Sequence, residues 1–242
     1  MQRKLNTFFN RFHMAEIKLN YIEKGTGEPF IMLHGNGEDS SYFTKQIEYF
    51  SQTYRVIALD TRGHGKSERG DTPFSIHQFS IDLYDFMKDL EISKAIILGF
   101  SDGANIAMDF AISHQNMIRA LILNGGNIYS RGVKRIVQFP IEIGYRIASL
   151  FASVNRKAKM NAEMLGLMVN DLNIHKEDLA KITVPTLVIA GTNDMIKENH
   201  TREIASIIPD SELIFIKGNH FIANNKPYEF NMAVEGFLKR LN

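Results

Sequence analysis

Short continuous runs of apolar residues recur along this chain of 242 residues and alternate with segments of helical periodicity. An apolar run of four to six residues is typical of a strand buried on both faces of a parallel sheet. Such strands are predicted at 30–33, 54–59, 94–99, 118–123, 186–190 and 212–216, with a half-exposed strand of alternating polarity at 15–23. Helices are predicted at about 42–50, 76–90, 104–113, 198–207 and 227–240. This alternation predicts a mostly parallel sheet with helices on both faces.

One long stretch, residues 128–180, interrupts the alternation because it contains no apolar run of the strand type. Its periodicity predicts two helices, around 133–151 and 157–169, and Pro185 precedes the next strand. The length and the 44% hydrophobic content suit one α/β domain spanning 1–242. We therefore expect a short helical cap inserted above the sheet of a single domain.

The segment Gly99-Phe100-Ser101-Asp102-Gly103 lies between a predicted strand and a predicted helix. A Gly-x-Ser-x-Gly turn in this context is a nucleophile elbow, in which the tight backbone lifts the serine hydroxyl clear of the sheet. The pattern predicts that Ser101 is a nucleophile. The alternative is an ordinary glycine-rich turn that happens to contain a serine.

Two further polar residues follow predicted strands. Asp194 comes after 186–190, and His220 comes after 212–216. With Ser101 the chain order is Ser, Asp, His, which is the order that accompanies a nucleophile elbow. His220 can take the serine proton, and Asp194 can orient the histidine. Taken alone, Asp194 could instead be a helix N-cap, and His220 part of a plain turn.

Acyl transfer also requires two backbone N–H groups that stabilise an oxyanion. We expect the N–H of Asp102 to be one donor, because it follows the nucleophile at the start of a helix. The other is predicted in the turn His34-Gly35-Asn36-Gly37, from Asn36 with Gly37 as the second choice. An ordinary glycine turn is the alternative interpretation of that segment.

These motifs together resemble the α/β-hydrolase fold superfamily over nearly the whole chain. A further match is Asp60-Thr61-Arg62-Gly63-His64-Gly65-Lys66-Ser67, which is structural in that family, so Arg62 and His64 are given no chemistry. The resemblance implies an eight-stranded, mostly parallel sheet with a cap after strand six. It implies neither a metal nor an organic cofactor.

Within this superfamily, Ser101 argues against haloalkane dehalogenases and epoxide hydrolases, which have an aspartate at the elbow. Carboxylesterases, thioesterases, lactonases, C–C bond hydrolases and cofactor-free perhydrolases use serine, and a binding-only receptor is the non-enzyme alternative. We expect a serine hydrolase that cleaves a small carboxylic ester, thioester or lactone through an acyl-enzyme intermediate.

Two charge features bear on the substrate. The elbow resembles that of the valacyclovir-hydrolase-like esterases, in which the acid after the nucleophile recognises a substrate amino group; this would give Asp102 that role. Asp102 could instead simply favour the helix N-terminus. Residues 131–160 carry seven basic side chains and one acidic one, which could attract anions or form the solvated side of amphipathic helices.

The formal net charge of +1 and the isoelectric point near 7.9 give no reason to expect nucleic acid or a membrane as a partner. The chain has no cysteine, and its N-terminus lacks the apolar stretch of a signal peptide. We expect a cytoplasmic protein whose partner is a small acyl substrate. No pattern in the sequence specifies an oligomeric state.

Overall fold

Seven strands form one sheet in the computed structural model, which describes residues 17–170, 172 and 174–241. The strands are β1 (Tyr21–Lys24), β2 (Pro29–Leu33), β3 (Arg55–Leu59), β4 (Ala95–Phe100), β5 (Ile118–Asn124), β6 (Thr186–Gly191) and β7 (Ser211–Ile216). Their order is β1-β3-β2-β4-β5-β6-β7, with β1 antiparallel to β3 and every other pair parallel. The predicted fold class, an α/β-hydrolase fold with a mostly parallel sheet, is confirmed.

The strand count differs from the expected eight, because the described residues form seven. Only Tyr21–Lys24 of the strand predicted at 15–23 joins the sheet, and residues 15 and 16 lie outside the described part. The pairing register explains why β1 begins at Tyr21. Tyr21 pairs with Leu59, the last residue of β3, so earlier residues run past their partner strand. Asn20 instead donates its backbone N–H to Ser67 Oγ at 2.8 Å.

Helices cover both faces of the sheet. They are α1 (Thr44–Phe50), α2 (Ile76–Asp89), α3 (Asp102–His114), α4 (Arg135–Phe151), α5 (Arg156–Val169), α6 (Lys176–Leu179), α7 (Glu198–Ile207), α8 (Ile222–Asn225) and α9 (Pro227–Lys239). One core packs α2, α3 and α7 against the sheet, and the other packs α1, α8 and α9 against the opposite face. Alternate residues of each central strand enter opposite cores, which is why these strands are apolar throughout.

The predicted cap is the pair α4 and α5, which lies between β5 and β6. The cap was expected after strand six of an eight-stranded sheet. It follows β5 here, because the described sheet has one strand fewer before it. Gln138 of α4 donates to the Met168 carbonyl of α5 at 3.0 Å. On the body side, α5 is anchored by the buried Leu167 and by an ion pair of 2.5 Å between Arg69 and Glu163. The inner helix α5 therefore contacts the body, and α4 packs on it.

Candidate active site

The elbow serine lies at the junction of β4 and α3 in a left-handed conformation, with φ 53° and ψ −118°. A Cβ on Gly99 would lie 2.2 Å from the Gly103 carbonyl oxygen, and one on Gly103 would lie 2.0 Å from that of Leu33. Only glycine fits at either position. The backbone N–H of Ser101 donates to Asn124 of β5 at 2.8 Å. The neighbouring strands thus hold Ser101 in a conformation that is costly for a residue with a side chain.

A buried hydrogen bond of 2.7 Å joins His220 Nδ1 to Asp194 Oδ1. Because a carboxylate only accepts, Nδ1 carries a proton and donates it to Asp194, which leaves Nε2 as the nitrogen that can act as a base. Asp194 Oδ1 also accepts the Ile196 backbone N–H at 2.9 Å, which fixes the orientation of the carboxylate. The structure thus brings these two predicted residues together.

Aromatic rings and a glycine enclose the imidazole of His220. The ring centroids of Phe100 and Phe221 lie 4.8 and 5.5 Å from that of His220. A Cβ on Gly125 (φ 65°) would lie 2.8 Å from His220 Cε1. Among the described residues Nε2 is buried and has no hydrogen-bond partner. The imidazole is therefore fixed by packing, with its basic nitrogen unoccupied.

The loops that carry Asp194 and His220 touch through their backbones. A Cβ on Gly191 would lie 2.2 Å from the Asn219 carbonyl oxygen. The Asn193 N–H also donates to the Gly218 carbonyl at 2.8 Å. Glycine at the end of β6 therefore permits the close approach that the histidine–aspartate contact requires.

Neighbouring side chains fix the turn predicted as the oxyanion loop. His34 Nε2 accepts the Thr61 N–H at 3.0 Å, so Nδ1 is the protonated nitrogen and donates to the Gly35 carbonyl at 2.7 Å. Burial lowers the pKa of His34 to about 4, which keeps it neutral. The Glu38 carboxylate accepts the Gly35 N–H at 3.2 Å. The side chains of His34 and Glu38 thus hold both backbone groups of Gly35, its C=O and its N–H.

Asn36 and Asp102, the two expected oxyanion residues, are bonded to each other through their side chains. Asn36 Nδ2 donates to Asp102 Oδ2 at 2.8 Å and to the Met164 carbonyl of α5 at 2.8 Å. The second carboxylate oxygen of Asp102 accepts from Asn105 Nδ2 at 3.4 Å. Asp102 is buried, and burial raises its pKa to about 6. Both oxygens of the carboxylate that was expected to bind a substrate amino group therefore accept hydrogen bonds from side-chain amides of the protein.

All predicted site residues lie at the carboxyl ends of strands: Asn36 beyond β2, Ser101 and Asp102 beyond β4, Asp194 beyond β6 and His220 beyond β7. The sequence analysis missed Gly125, which has the same kind of position directly after β5 and could have been found by that rule. It also missed Glu38, which directly follows the oxyanion turn.

Tyr42 is a third residue of the site that no sequence signal indicated. Its ring stacks on Phe100 with centroids 4.4 Å apart and an interplanar angle of 4°. Burial raises the pKa of Tyr42, and the carboxylates of Glu38 and Asp194 raise it further. Its buried hydroxyl has no hydrogen-bond partner in the described part of the chain. Tyr42 therefore stays protonated and supports the ring on which His220 packs.

The family model for the α/β hydrolase fold matches residues 28–164, which is more than half of the chain. The protein therefore belongs to the α/β hydrolase family. The match begins at β2 and continues through the elbow into α5.

Two curated relatives match almost the whole length. One is a 2-hydroxy-6-oxo-6-(2'-aminophenyl)hexa-2,4-dienoic acid hydrolase of Metapseudomonas resinovorans, 24% identical over 99% of this chain and 94% of its own. The other is a 3-oxoadipate enol-lactonase of Acinetobacter baylyi, 24% identical over 94% of this chain and 95% of its own. Both are hydrolases, and this protein is a hydrolase of the same family.

A solved enol-lactonase from Burkholderia xenovorans has the same fold. It superimposes with a TM-score of 0.75 at 23% identity, covering 94% of this chain and 98% of its own. At that identity the likeness bears on the fold alone.

Proposed function

We propose that this protein is a serine hydrolase that cleaves a small carboxylic ester, thioester or lactone through an acyl-enzyme intermediate. One observation carries the proposal. The 2.7 Å bond from His220 Nδ1 to Asp194 leaves a buried, unpartnered Nε2 on a ring packed against Phe100, the residue before Ser101. An imidazole that a carboxylate orients and whose Nε2 is left without a partner is the arrangement that general-base activation of an elbow serine needs.

In the proposed mechanism, Ser101 Oγ attacks the substrate carbonyl while its proton passes to His220 Nε2. The N–H groups of Asp102 and Asn36 stabilise the resulting oxyanion, with Gly37 as the second choice to Asn36. His220 then gives the proton to the departing oxygen or sulfur, and the acyl group remains on Ser101. Water enters, loses a proton to His220 and releases the acid, while Asp194 stabilises the imidazolium throughout.

The nucleophile is tested by intact-mass spectrometry after incubation with a fluorophosphonate. We expect a single adduct in the wild type and in Ser93→Ala, a control at an exposed serine, and none in Ser101→Ala. The same three proteins are then assayed with p-nitrophenyl acetate, butyrate and octanoate. Wild-type turnover in a folded Ser101→Ala variant would refute the assignment.

The role of Asp194 is tested by Asp194→Asn, which should lower kcat by about 10³–10⁴-fold because the amide favours the wrong imidazole tautomer. Asp210→Asn, at an exposed loop position, is the matched control and should retain wild-type kcat. Equal kcat in the two variants would remove Asp194 from the proposed machinery.

A second candidate is hydrolysis of a C–C bond in a dienoic acid by the same residues. It is favoured by the likeness to the dienoic acid hydrolase over 99% of this chain. The two candidates separate when one enzyme preparation is assayed with p-nitrophenyl butyrate and with a 2-hydroxy-6-oxo-dienoate. A Ser101-dependent preference of more than tenfold in kcat/KM for the dienoate would replace the ester assignment.

A further inference from the structure

The outer cap helix α4 presents apolar side chains to the solvent. Seven large apolar residues are exposed on this helix and the turn after it: Ile136, Phe139, Ile143, Ile147, Leu150, Phe151 and Val154. Ile136, Leu150 and Val154 are 84%, 75% and 82% exposed, so they are almost as accessible as in an unfolded chain. Exposed apolar residues scattered singly need no explanation, but a contiguous patch marks an interaction site. We call these seven residues the cap face.

The cap face is one continuous side of the helix. On α4 each member has another member three or four positions away, which places them along one stripe, and Val154 follows in the turn after the helix. The opposite side of α4 contains the buried Gln138 and Ala148, and Gln138 bonds to α5. The side of α4 opposite the cap face is thus the side that packs on α5. Among the described residues the Arg135 guanidinium lies 5.0 Å over the Phe139 ring, and the other members of the cap face are 42–84% exposed.

The segment that carries the cap face is strongly basic. All seven basic side chains of 131–160 are exposed: Arg131, Lys134, Arg135, Arg146, Arg156, Lys157 and Lys159. The one acidic side chain of this segment, Glu142, is paired with Arg135 at 2.9 Å. The formal net charge of +1 gives no reason to expect a membrane partner, but the charge is unevenly distributed along the chain. The segment carries +6, so the rest of the chain carries −5.

We propose that the cap face is a docking surface for an anionic phospholipid bilayer, with α4 lying in the plane of the interface. An apolar stripe flanked by Lys and Arg is the pattern by which an amphipathic helix binds at the lipid headgroups. The basic segment matches the negative surface potential of such a membrane, whereas two copies meeting at this face would bring like charges together. In the part of the chain that the structure describes, no helix is long and apolar enough to span a bilayer.

The position of α4 gives this docking a consequence for the proposed site. Beneath it, α5 bonds through the Met164 carbonyl to Asn36 of the oxyanion turn at 2.8 Å. A membrane bound at the cap face would thus be separated from that turn by the two cap helices, α4 and α5. This would suit an acyl substrate that partitions into lipid.

The test is sedimentation with vesicles of mixed phosphatidylcholine and phosphatidylglycerol, against vesicles of pure phosphatidylcholine. Wild-type protein should bind the anionic vesicles, and added salt should weaken the binding. The double variant Ile147→Glu/Leu150→Glu should bind about a hundredfold more weakly, because two apolar side chains are lost and two negative charges are added. Tyr228→Glu is the matched control, since Tyr228 is 72% exposed on α9.

Each variant is also measured for thermal unfolding and for turnover of a soluble ester, both of which should match the wild type because the altered residues are exposed. Absence of wild-type binding to anionic vesicles would overturn the proposal. So would equal binding to neutral vesicles, or full binding by the double variant. Sedimentation velocity showing a wild-type dimer that the double variant abolishes would assign the face to a second copy instead.

Discussion

The side-chain amide of Asn36 donates a hydrogen bond of 2.8 Å to the carboxylate of Asp102, the residue that follows the elbow serine. These are the two residues whose backbone N–H groups are proposed to hold the oxyanion. The bond joins the turn after β2 to the start of α3, so the two donors are fixed relative to each other. Pre-set donors cost no reorganisation when negative charge develops on the substrate.

Replacing Asn36 by alanine should lower kcat with little change in KM. The backbone N–H remains, but the side-chain bonds from Asn36 Nδ2 to Asp102 and to the Met164 carbonyl, which hold the turn in place, are lost. We expect a fall of about 10–100-fold, part of the loss caused by removing an oxyanion donor. The measurement is steady-state kinetics with p-nitrophenyl butyrate. Asn116→Ala, at an exposed asparagine, is the control, and an unchanged kcat in Asn36→Ala would contradict the prediction.

The buried Asp102 carboxylate should make stability depend on pH. Burial raises its pKa from 3.8 to about 6 in the folded state, so the folded protein binds the proton more tightly than the unfolded one. The contribution of the protonated Asp102 carboxyl to the free energy of unfolding is therefore complete below about pH 4, and it is lost as the pH rises through 6. A shift of this size corresponds to about 3 kcal/mol between those limits.

Asp102→Asn removes this titration while keeping an oxygen that can accept from Asn36. The free energy of unfolding of the variant should rise relative to wild type between about pH 4 and pH 7. Urea unfolding at several pH values measures it, with Asp210→Asn as an exposed control. A difference between Asp102→Asn and wild type that stays constant with pH would show that Asp102 does not titrate in this range.

Gly125→Ala should reduce activity through the position of His220. The new methyl group would lie 2.8 Å from His220 Cε1, so the imidazole must move. A displacement near 1 Å costs about 100-fold in rate. Gly27→Ala is the matched control, because Gly27 also has a positive φ, 108°, and the one described atom near its Cβ would be the Thr53 carbonyl oxygen at 3.0 Å. Both variants should lose stability, and only Gly125→Ala should lose kcat; wild-type kcat in Gly125→Ala would contradict the prediction.

Arg62 should matter for stability and not for chemistry, because it compensates the buried Asp82 carboxylate. Arg62 Nε and Nη2 bond to the Asp82 carboxylate at 2.7 and 2.6 Å, in a fully buried position. Arg62→Met leaves a buried carboxylate without its cation and should destabilise the fold by about 3–5 kcal/mol. Urea unfolding and kcat are measured together. The double variant Arg62→Met/Asp82→Leu should recover most of the stability, and a kcat loss in a fully stable variant would contradict a structural role.

Much of the fold could be predicted because burial on both faces makes each central strand an uninterrupted apolar run. The strand predicted at 118–123 is Ile118–Asn124, and the helix predicted at 198–207 is Glu198–Ile207. The strand predicted at 15–23 was wrong for residues 17–20, because alternation cannot tell where the partner strand β3 ends. Helix α3 begins at Asp102, two residues before its predicted start, because the elbow turns directly into the helix.

The positions of the candidate site follow from the sequence because parallel strands bring their carboxyl ends to one edge of the sheet. That rule placed Ser101, Asp194 and His220 at one edge, and the structure brings the last two into contact. Their chemical roles stay a proposal. The rule could not pair Asn36 with Asp102, 66 positions apart, because a contact between side chains depends on how two loops pack.

By itself, the sequence determined the family, the position of each candidate site residue directly after a strand, and the place of the cap. These features depend on local periodicity and motif spacing. Only the tertiary structure decided which side of α4 packs and which faces the solvent. Periodicity defines an apolar stripe, and an apolar stripe is normally buried. Here a different side of the helix packs on α5 through Gln138, so the apolar stripe stays exposed within a segment whose basic side chains are exposed as well.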